Sequence, residues 1–100
     1  MNISVHELKD RLALPSPIHI IDVREELEFH TFNIGGENIP LGKLLAEVND
    51  LEYDKDEEVV VVCQRGLRSE TARRVLTSQG FCNVKNLTGG LLAWRRMVGS

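Results

Sequence analysis

Short apolar runs alternate along this chain with stretches in which apolar residues recur every three or four positions. The short runs predict buried β-strands, and the periodic stretches predict amphipathic helices. The clearest strand is Val59–Val62, because four consecutive β-branched residues are typical of a strand buried on both faces of a parallel sheet. Further strands are predicted at residues 19–23, 38–39 and 84–87, with helices between and after them. This alternation indicates βαβ units and therefore an α/β domain with a parallel sheet.

Polar residues mark the beginnings of elements and the connections between them. Ser4 and Glu7 have the spacing of a capping box, so a helix is predicted to begin there with Leu8 and Leu12 facing the core. The charged run at residues 54–58 is predicted to be a solvated loop in front of the central strand.

Length and composition are those of one ordinary globular domain, predicted to span residues 1–100. Of the 100 residues, 42% are hydrophobic and 27% are charged, and the formal net charge is −3. Because the chain has no basic excess, nucleic acid and anionic membranes are poor candidate partners. No apolar run approaches the roughly 20 residues of a membrane helix. The first residues lack the basic and apolar segments of a secretory signal, so a cytoplasmic location is expected.

The chain has two cysteines, Cys63 and Cys82, and no CxxC motif. In a reducing compartment a disulfide between them is not expected. Two cysteines and three scattered histidines also make a closed zinc site an unfavourable prediction, so no metal is assigned. Cys63 is the candidate for chemistry, and Cys82 is interpreted as incidental.

Cys63 directly follows the central strand, and in open α/β sheets ligands bind beyond the carboxyl ends of the strands. The loop from Cys63 to Arg68 leads into a predicted helix, so its backbone N–H groups and the helix N-terminus can form a concave anion site. Gly66 permits a tight turn, and Arg65 and Arg68 add positive charge. A cysteine at the end of a strand can instead be a small core residue, but such a residue needs no anion site. Cys63 is therefore predicted to be largely thiolate at neutral pH.

This loop resembles the CxxGxRS active loop of the rhodanese (sulfurtransferase) family. Its residues are Cys63, Gln64, Arg65, Gly66, Leu67, Arg68 and Ser69. Three further segments resemble the family in order and spacing: Asp22-Val23-Arg24-Glu25, then Glu28-Phe29 with Asn38-Ile39-Pro40, and finally Thr88-Gly89-Gly90 with Ala93-Trp94. The resemblance runs from about residue 3 to residue 98. It departs at residues 32–37, where the family usually has a Gly-His-Ile-type stretch, and this difference concerns donor preference rather than the fold.

The resemblance implies a mostly parallel five-stranded sheet with helices on both faces. It also implies that the Cys63 thiolate attacks the outer sulfur of an anionic donor such as thiosulfate and becomes a persulfide. An acceptor then takes the sulfur: cyanide, a small thiol, or a protein thiol. Residues 64–69 are expected to hold the sulfur, with Arg65 attracting the donor and Arg68 bracing the loop. No cofactor is implied.

Asp22 and Arg24 lie at the carboxyl end of a predicted strand, where they are expected to support the loop rather than touch substrate. Two alternatives remain for the function. One is a persulfide carrier or docking module that serves a partner protein. The other, less favoured, is a phosphatase or arsenate reductase. Those enzymes use a CX5R loop, whereas Arg68 gives CX4R and the next position is Ser69.

Overall fold

Five strands pair side by side in one sheet with the order β1-β5-β4-β2-β3 in the computed structural model, which describes residues 1–99. The strands are β1 (Asn2–Ile3), β2 (His19–Asp22), β3 (Glu37–Asn38), β4 (Val59–Val62) and β5 (Val84–Leu87). Each neighbouring pair is parallel. The predicted α/β class and parallel sheet are therefore confirmed.

Five α-helices connect or follow the strands. They are α1 (Val5–Leu12), α2 (Glu26–Thr31), α3 (Leu41–Glu47), α4 (Leu67–Ser78) and α5 (Gly90–Val98), and a 3₁₀ turn (Val48–Asp50) follows α3. None of the helices in residues 1–99 is both long enough and apolar enough to cross a membrane.

The predicted capping box at the start of α1 is confirmed. The backbone N–H of Glu7 donates to Ser4 Oγ over 3.1 Å, and the N–H of Ser4 donates to Glu7 Oε1 over 3.0 Å. Leu8 is fully buried as predicted, but Leu12 is 40% exposed. The prediction for Leu12 was wrong because α1 ends at this residue, so its side chain lies at the margin of the packed face.

The helices cover both faces of the sheet, as predicted. Val59 and Val61 pack on one face with residues of α3 and α4, while Val60 and Val62 pack on the other with residues of α1 and α5. All four valines are at most 1% exposed, and each such side chain contributes about 1.5–3 kcal/mol through burial. The central strand therefore anchors both cores and fixes the position of the residue that follows it.

The charged run before β4 is only partly a solvated loop. Residues 54–56 are exposed as predicted, but the Glu58 side chain is 8% exposed and forms ion pairs with Arg11 and Lys85. The prediction was wrong for Glu58 because α1 and β5 each bring a cation to it, and a paired carboxylate can be buried.

Candidate active site

Cys63 lies at the carboxyl edge of the sheet, directly after β4, and is only 1% exposed. Its Sγ accepts hydrogen bonds from the backbone N–H groups of Gly66, over 3.0 Å, and Ser69, over 3.3 Å. The Ser69 hydroxyl oxygen lies 3.2 Å from the same sulfur. Three polar groups thus converge on the sulfur, and two of them can only donate a hydrogen bond.

The sulfur occupies the capping position of α4. Gly66 precedes the first residue of α4 with φ = +92°, a backbone conformation that side chains with a Cβ rarely adopt. Ser69 is the third residue of α4, whose N–H is normally bound by a capping side chain. Here the Cys63 sulfur takes that role at the positive end of a 12-residue helix. The N-terminus of a helix carries a partial positive charge, which interacts favourably with anions.

The start of α5 holds the other side of the loop's backbone. The carbonyl oxygens of Cys63 and Gln64 accept hydrogen bonds from Leu91 N–H, over 2.9 Å, and Leu92 N–H, over 3.0 Å. A Cβ on Gly90 would lie 2.5 Å from both oxygens, so only glycine permits this approach. With both carbonyls bound by α5, the loop presents the N–H groups of Gly66 and Ser69 to the sulfur.

A cavity of about 260 Å³ opens beside the sulfur, and its lining includes Gln64, Arg65 and Leu67. The Arg65 side chain is exposed, and no carboxylate among residues 1–99 forms an ion pair with it. Leu67, the first residue of α4, is 77% exposed. The cavity therefore combines a free cation with an apolar wall and has room for a small anion.

Arg68 also lines this cavity, but its guanidinium is paired with a carboxylate. Its guanidinium forms a two-bond ion pair with Glu28 of α2, over 2.7 and 2.9 Å. These bonds hold the pKa of Glu28 at about 2, well below the ordinary value of 4.5. The pair joins α2 to the first turn of α4, next to the sulfur-binding N–H groups, so this contact fits a bracing role better than substrate binding.

Asp22 and Arg24 form a buried ion pair of 2.8 Å, with exposures of 0% and 3%. Arg24 also donates a hydrogen bond of 2.6 Å to the carbonyl of Phe32. This bond connects the chain just after β2 to the end of α2. Within the part of the chain that the structure describes, no hydrogen bond links either residue to the loop from Cys63 to Ser69. The pair instead supports the strand next to β4, where Val23 N–H donates to the Val62 carbonyl.

Three residues of the site were not singled out from the sequence. Glu28 belongs to a segment that resembles the family, but nothing in its spacing indicates Arg68 as its partner. Gly90 was seen only as part of a glycine pair. Asn86 of β5 donates through Nδ2 to the Gly66 carbonyl over 3.0 Å and accepts the Ser69 hydroxyl. The sequence feature that could have identified Asn86 is its carboxamide side chain, which lies within a strand that the sheet must bury.

The family model described as "Rhodanese-like domain" matches residues 4–97. The chain belongs to the rhodanese-like domain family. Among solved structures, the "Rhodanese-like Domain Protein" of Staphylococcus aureus superposes with a TM-score of 0.82 and 30% sequence identity. That likeness covers 94% of this chain and 91% of the other. The expected rhodanese-like fold is confirmed.

Several relatives have names that concern sulfur. A protein of Allochromatium vinosum named "Sulfurtransferase" is 34% identical over 94 residues, which cover 94% of this chain and 87% of that protein. A protein of Bacillus subtilis (strain 168) named "Putative sulfur carrier protein YrkF" is 34% identical over 93 residues, or 92% of this chain. The match spans 49% of that protein, so this chain has about half the length of that relative.

Proposed function

We propose that this rhodanese-like chain is a sulfurtransferase that moves sulfane sulfur from a donor to a thiophilic acceptor through a persulfide on Cys63. The observation that carries the proposal is the convergence of the Gly66 and Ser69 N–H groups on Cys63 Sγ at the N-terminus of α4. Thiolate is the nucleophilic form of cysteine, and a helix N-terminus favours it.

In the first half-reaction the Cys63 thiolate attacks the outer sulfur of an anionic donor such as thiosulfate. A bond forms between Sγ and that sulfur, the donor's S–S bond breaks, and sulfite leaves with the electron pair. Arg65 supports this step because it is exposed and lines the cavity beside Sγ. Its charge can attract the donor and balance the negative charge of the leaving group.

In the second half-reaction an acceptor attacks the terminal sulfur of the persulfide. Cyanide becomes thiocyanate, and a thiolate becomes a persulfide of its own. Cys63 leaves as a thiolate, and the same two N–H groups stabilise it as it leaves. The two half-reactions share one covalent intermediate, so ping-pong kinetics are expected.

A carrier role is the second candidate, because one relative is named as a sulfur carrier and an exposed leucine stands at the cavity. Leu67 is 77% exposed, and an exposed large apolar side chain beside a reactive site suits contact with a protein partner. A carrier accepts the sulfur from a protein persulfide and turns over thiosulfate very poorly.

The phosphatase alternative is less favoured, because Arg68 is paired with Glu28 and Ser69 occupies the position of the CX5R arginine. The cytoplasmic location stays a prediction.

The deciding experiment is an intact-mass measurement after incubation with thiosulfate. We expect the wild-type chain to gain one sulfur atom and to lose it when cyanide is added. Cys63→Ser should gain nothing, and Cys82→Ser should behave like the wild type. Cys82 is a suitable control because its residue is exposed. Its thiol donates a hydrogen bond to the Lys55 carbonyl, remote from the loop that follows Cys63.

Three other outcomes are informative. Sulfur gain only from a protein persulfide donor favours the carrier role. No gain from either donor, with both cysteines reduced, contradicts sulfur transfer. Hydrolysis of an aryl phosphate that depends on Cys63 would favour the phosphatase alternative.

A further inference from the structure

Asn86 is a polar side chain at a position where the fold favours an apolar one. It lies in β5, between β1 and β4, and is 8% exposed. Val84, two residues earlier on the same face of the strand, belongs to the apolar core under α4. Burial of a carboxamide is unfavourable unless both its donor and its acceptor find partners.

Asn86 finds both partners in the active loop. Its Nδ2 donates to the carbonyl of Gly66 over 3.0 Å, and its Oδ1 accepts the hydroxyl of Ser69. Gly66 and Ser69 are also the residues whose N–H groups hold Cys63 Sγ. One side chain outside the loop therefore holds both residues that hold the sulfur.

The Ser69 hydroxyl has one hydrogen and two neighbours that can accept it. While it donates to Asn86, its oxygen can accept the S–H of a neutral Cys63, which lies 3.2 Å away. By accepting this hydrogen, Asn86 Oδ1 fixes the position of the Ser69 oxygen beside the sulfur.

We propose that Asn86 is a positioning residue for the Cys63 sulfur, acting through its simultaneous hydrogen bonds to Gly66 and Ser69. A carboxamide suits this role because it offers a donor to the carbonyl and an acceptor to the hydroxyl. An aspartate of the same size keeps the acceptor, loses the donor when ionised, and adds a negative charge near the thiolate. The biological purpose of this role rests on the proposed sulfur transfer. The test itself requires only that Cys63 can form a thiolate.

The test is the pH dependence of alkylation of Cys63 by iodoacetamide, measured in a Cys82→Ser background so that one thiol reacts. The variants are Asn86→Ala and Asn86→Asp. We expect the midpoint of the alkylation profile to rise by about one pH unit in each, the size of shift that follows from weakening one hydrogen bond to a charged group. Alkylation near neutral pH should then slow by up to about tenfold.

Val84→Ala is the matched control, because it removes a buried side chain from the same strand and face at a position opposite Val59, whereas Asn86 lies opposite Val61. Urea unfolding followed by circular dichroism measures the stability of all three variants. Val84→Ala should lose stability and keep the wild-type midpoint. If it raises the midpoint as much as the Asn86 variants do, general loosening explains the effect and the proposal is overturned. An unmoved midpoint in Asn86→Asp, which preserves side-chain size, overturns it as well, even where Asn86→Ala does not fold.

The two proposals fail separately. Alkylation needs no sulfur donor, so a raised midpoint supports the role of Asn86 even if the wild-type chain gains no sulfur from any donor. Normal sulfur gain combined with an unmoved midpoint would leave sulfur transfer standing and remove the role of Asn86 alone.

Discussion

Gly90→Ala tests whether the start of α5 shapes the active loop. Gly90 has φ = +64°, and a Cβ there would lie 2.5 Å from the carbonyl oxygens of Cys63 and Gln64. Real Cβ contacts are essentially never under 3.0 Å, so either the loop or α5 must move. Movement of either one stretches the hydrogen bonds from Leu91 and Leu92 that hold the two carbonyls.

The expected cost has two parts that separate variants can measure. An alanine in the left-handed region loses about 1–2 kcal/mol, and forced repacking around an added methyl group loses about 1–3 kcal/mol more. Gly35→Ala should show the first part alone, because Gly35 has φ = +91° and nothing within 4 Å of its Cβ position. Gly42→Ala should show neither, since it lies in α3 with open space around it. There alanine should be neutral or stabilise by up to about 1 kcal/mol.

Urea unfolding by circular dichroism gives the three free energies of unfolding, and intact mass after thiosulfate gives persulfide formation. We expect Gly90→Ala to be the least stable and the only one of the three to form persulfide more slowly. The reasoning is refuted if Gly90→Ala costs no more than Gly35→Ala, or if the two form persulfide at the same rate.

Three further changes test other parts of the structure. Glu28→Gln removes the ion pair with Arg68 and should cost about 1 kcal/mol, since both side chains are over a third exposed and the pair is screened by solvent. The Glu28 pKa of about 2 lies below its ordinary 4.5, so its contribution is present above pH 4.5 and lost as pH falls toward 2. The stability gap between wild type and Glu28→Gln should close over that range, and a constant gap in urea titrations would contradict it. Arg65→Ala should slow persulfide formation from thiosulfate without changing stability. Added salt should reduce the difference in rate between this variant and the wild type. Equal rates at low salt would count against donor binding by Arg65. Leu44→Ala should cost about 2–5 kcal/mol, because Leu44 is fully buried, while Leu45→Ala should cost much less at 42% exposure; similar losses would contradict the assigned face of α3.

The parts of the fold that the sequence predicted correctly are those with a local signal. Four β-branched residues in a row identified β4 as the central strand, and the Ser4 and Glu7 pair identified the start of α1. The active loop was recognisable because its cysteine, glycine and arginines lie within a few residues of one another. The resemblance to the rhodanese family rested on such short segments, and the family match over residues 4–97 confirms it.

The errors occurred where distant segments decide the outcome. Glu58 was placed in a solvated loop because its neighbours are charged, but Arg11, 47 residues away, and Lys85, 27 residues away, pair with it. Leu12 lies about one helical turn after Leu8. Because α1 ends at Leu12, its side chain lies at the margin of the packed face. The carboxamide of Asn86 indicates a specific role only once β5 is known to be buried.

The active site is therefore divided between a local part and a distant part. The loop supplies the sulfur and its two N–H donors within seven residues, and this part is visible as a motif. The groups that hold the loop come from Asn86, 20 residues from Gly66, and from Glu28, 40 residues from Arg68. A chain could keep the whole motif from Cys63 to Ser69 and still hold the sulfur poorly if these distant partners changed. For this reason the motif alone predicts the identity of the nucleophile, whereas its reactivity depends on side chains that the motif does not contain.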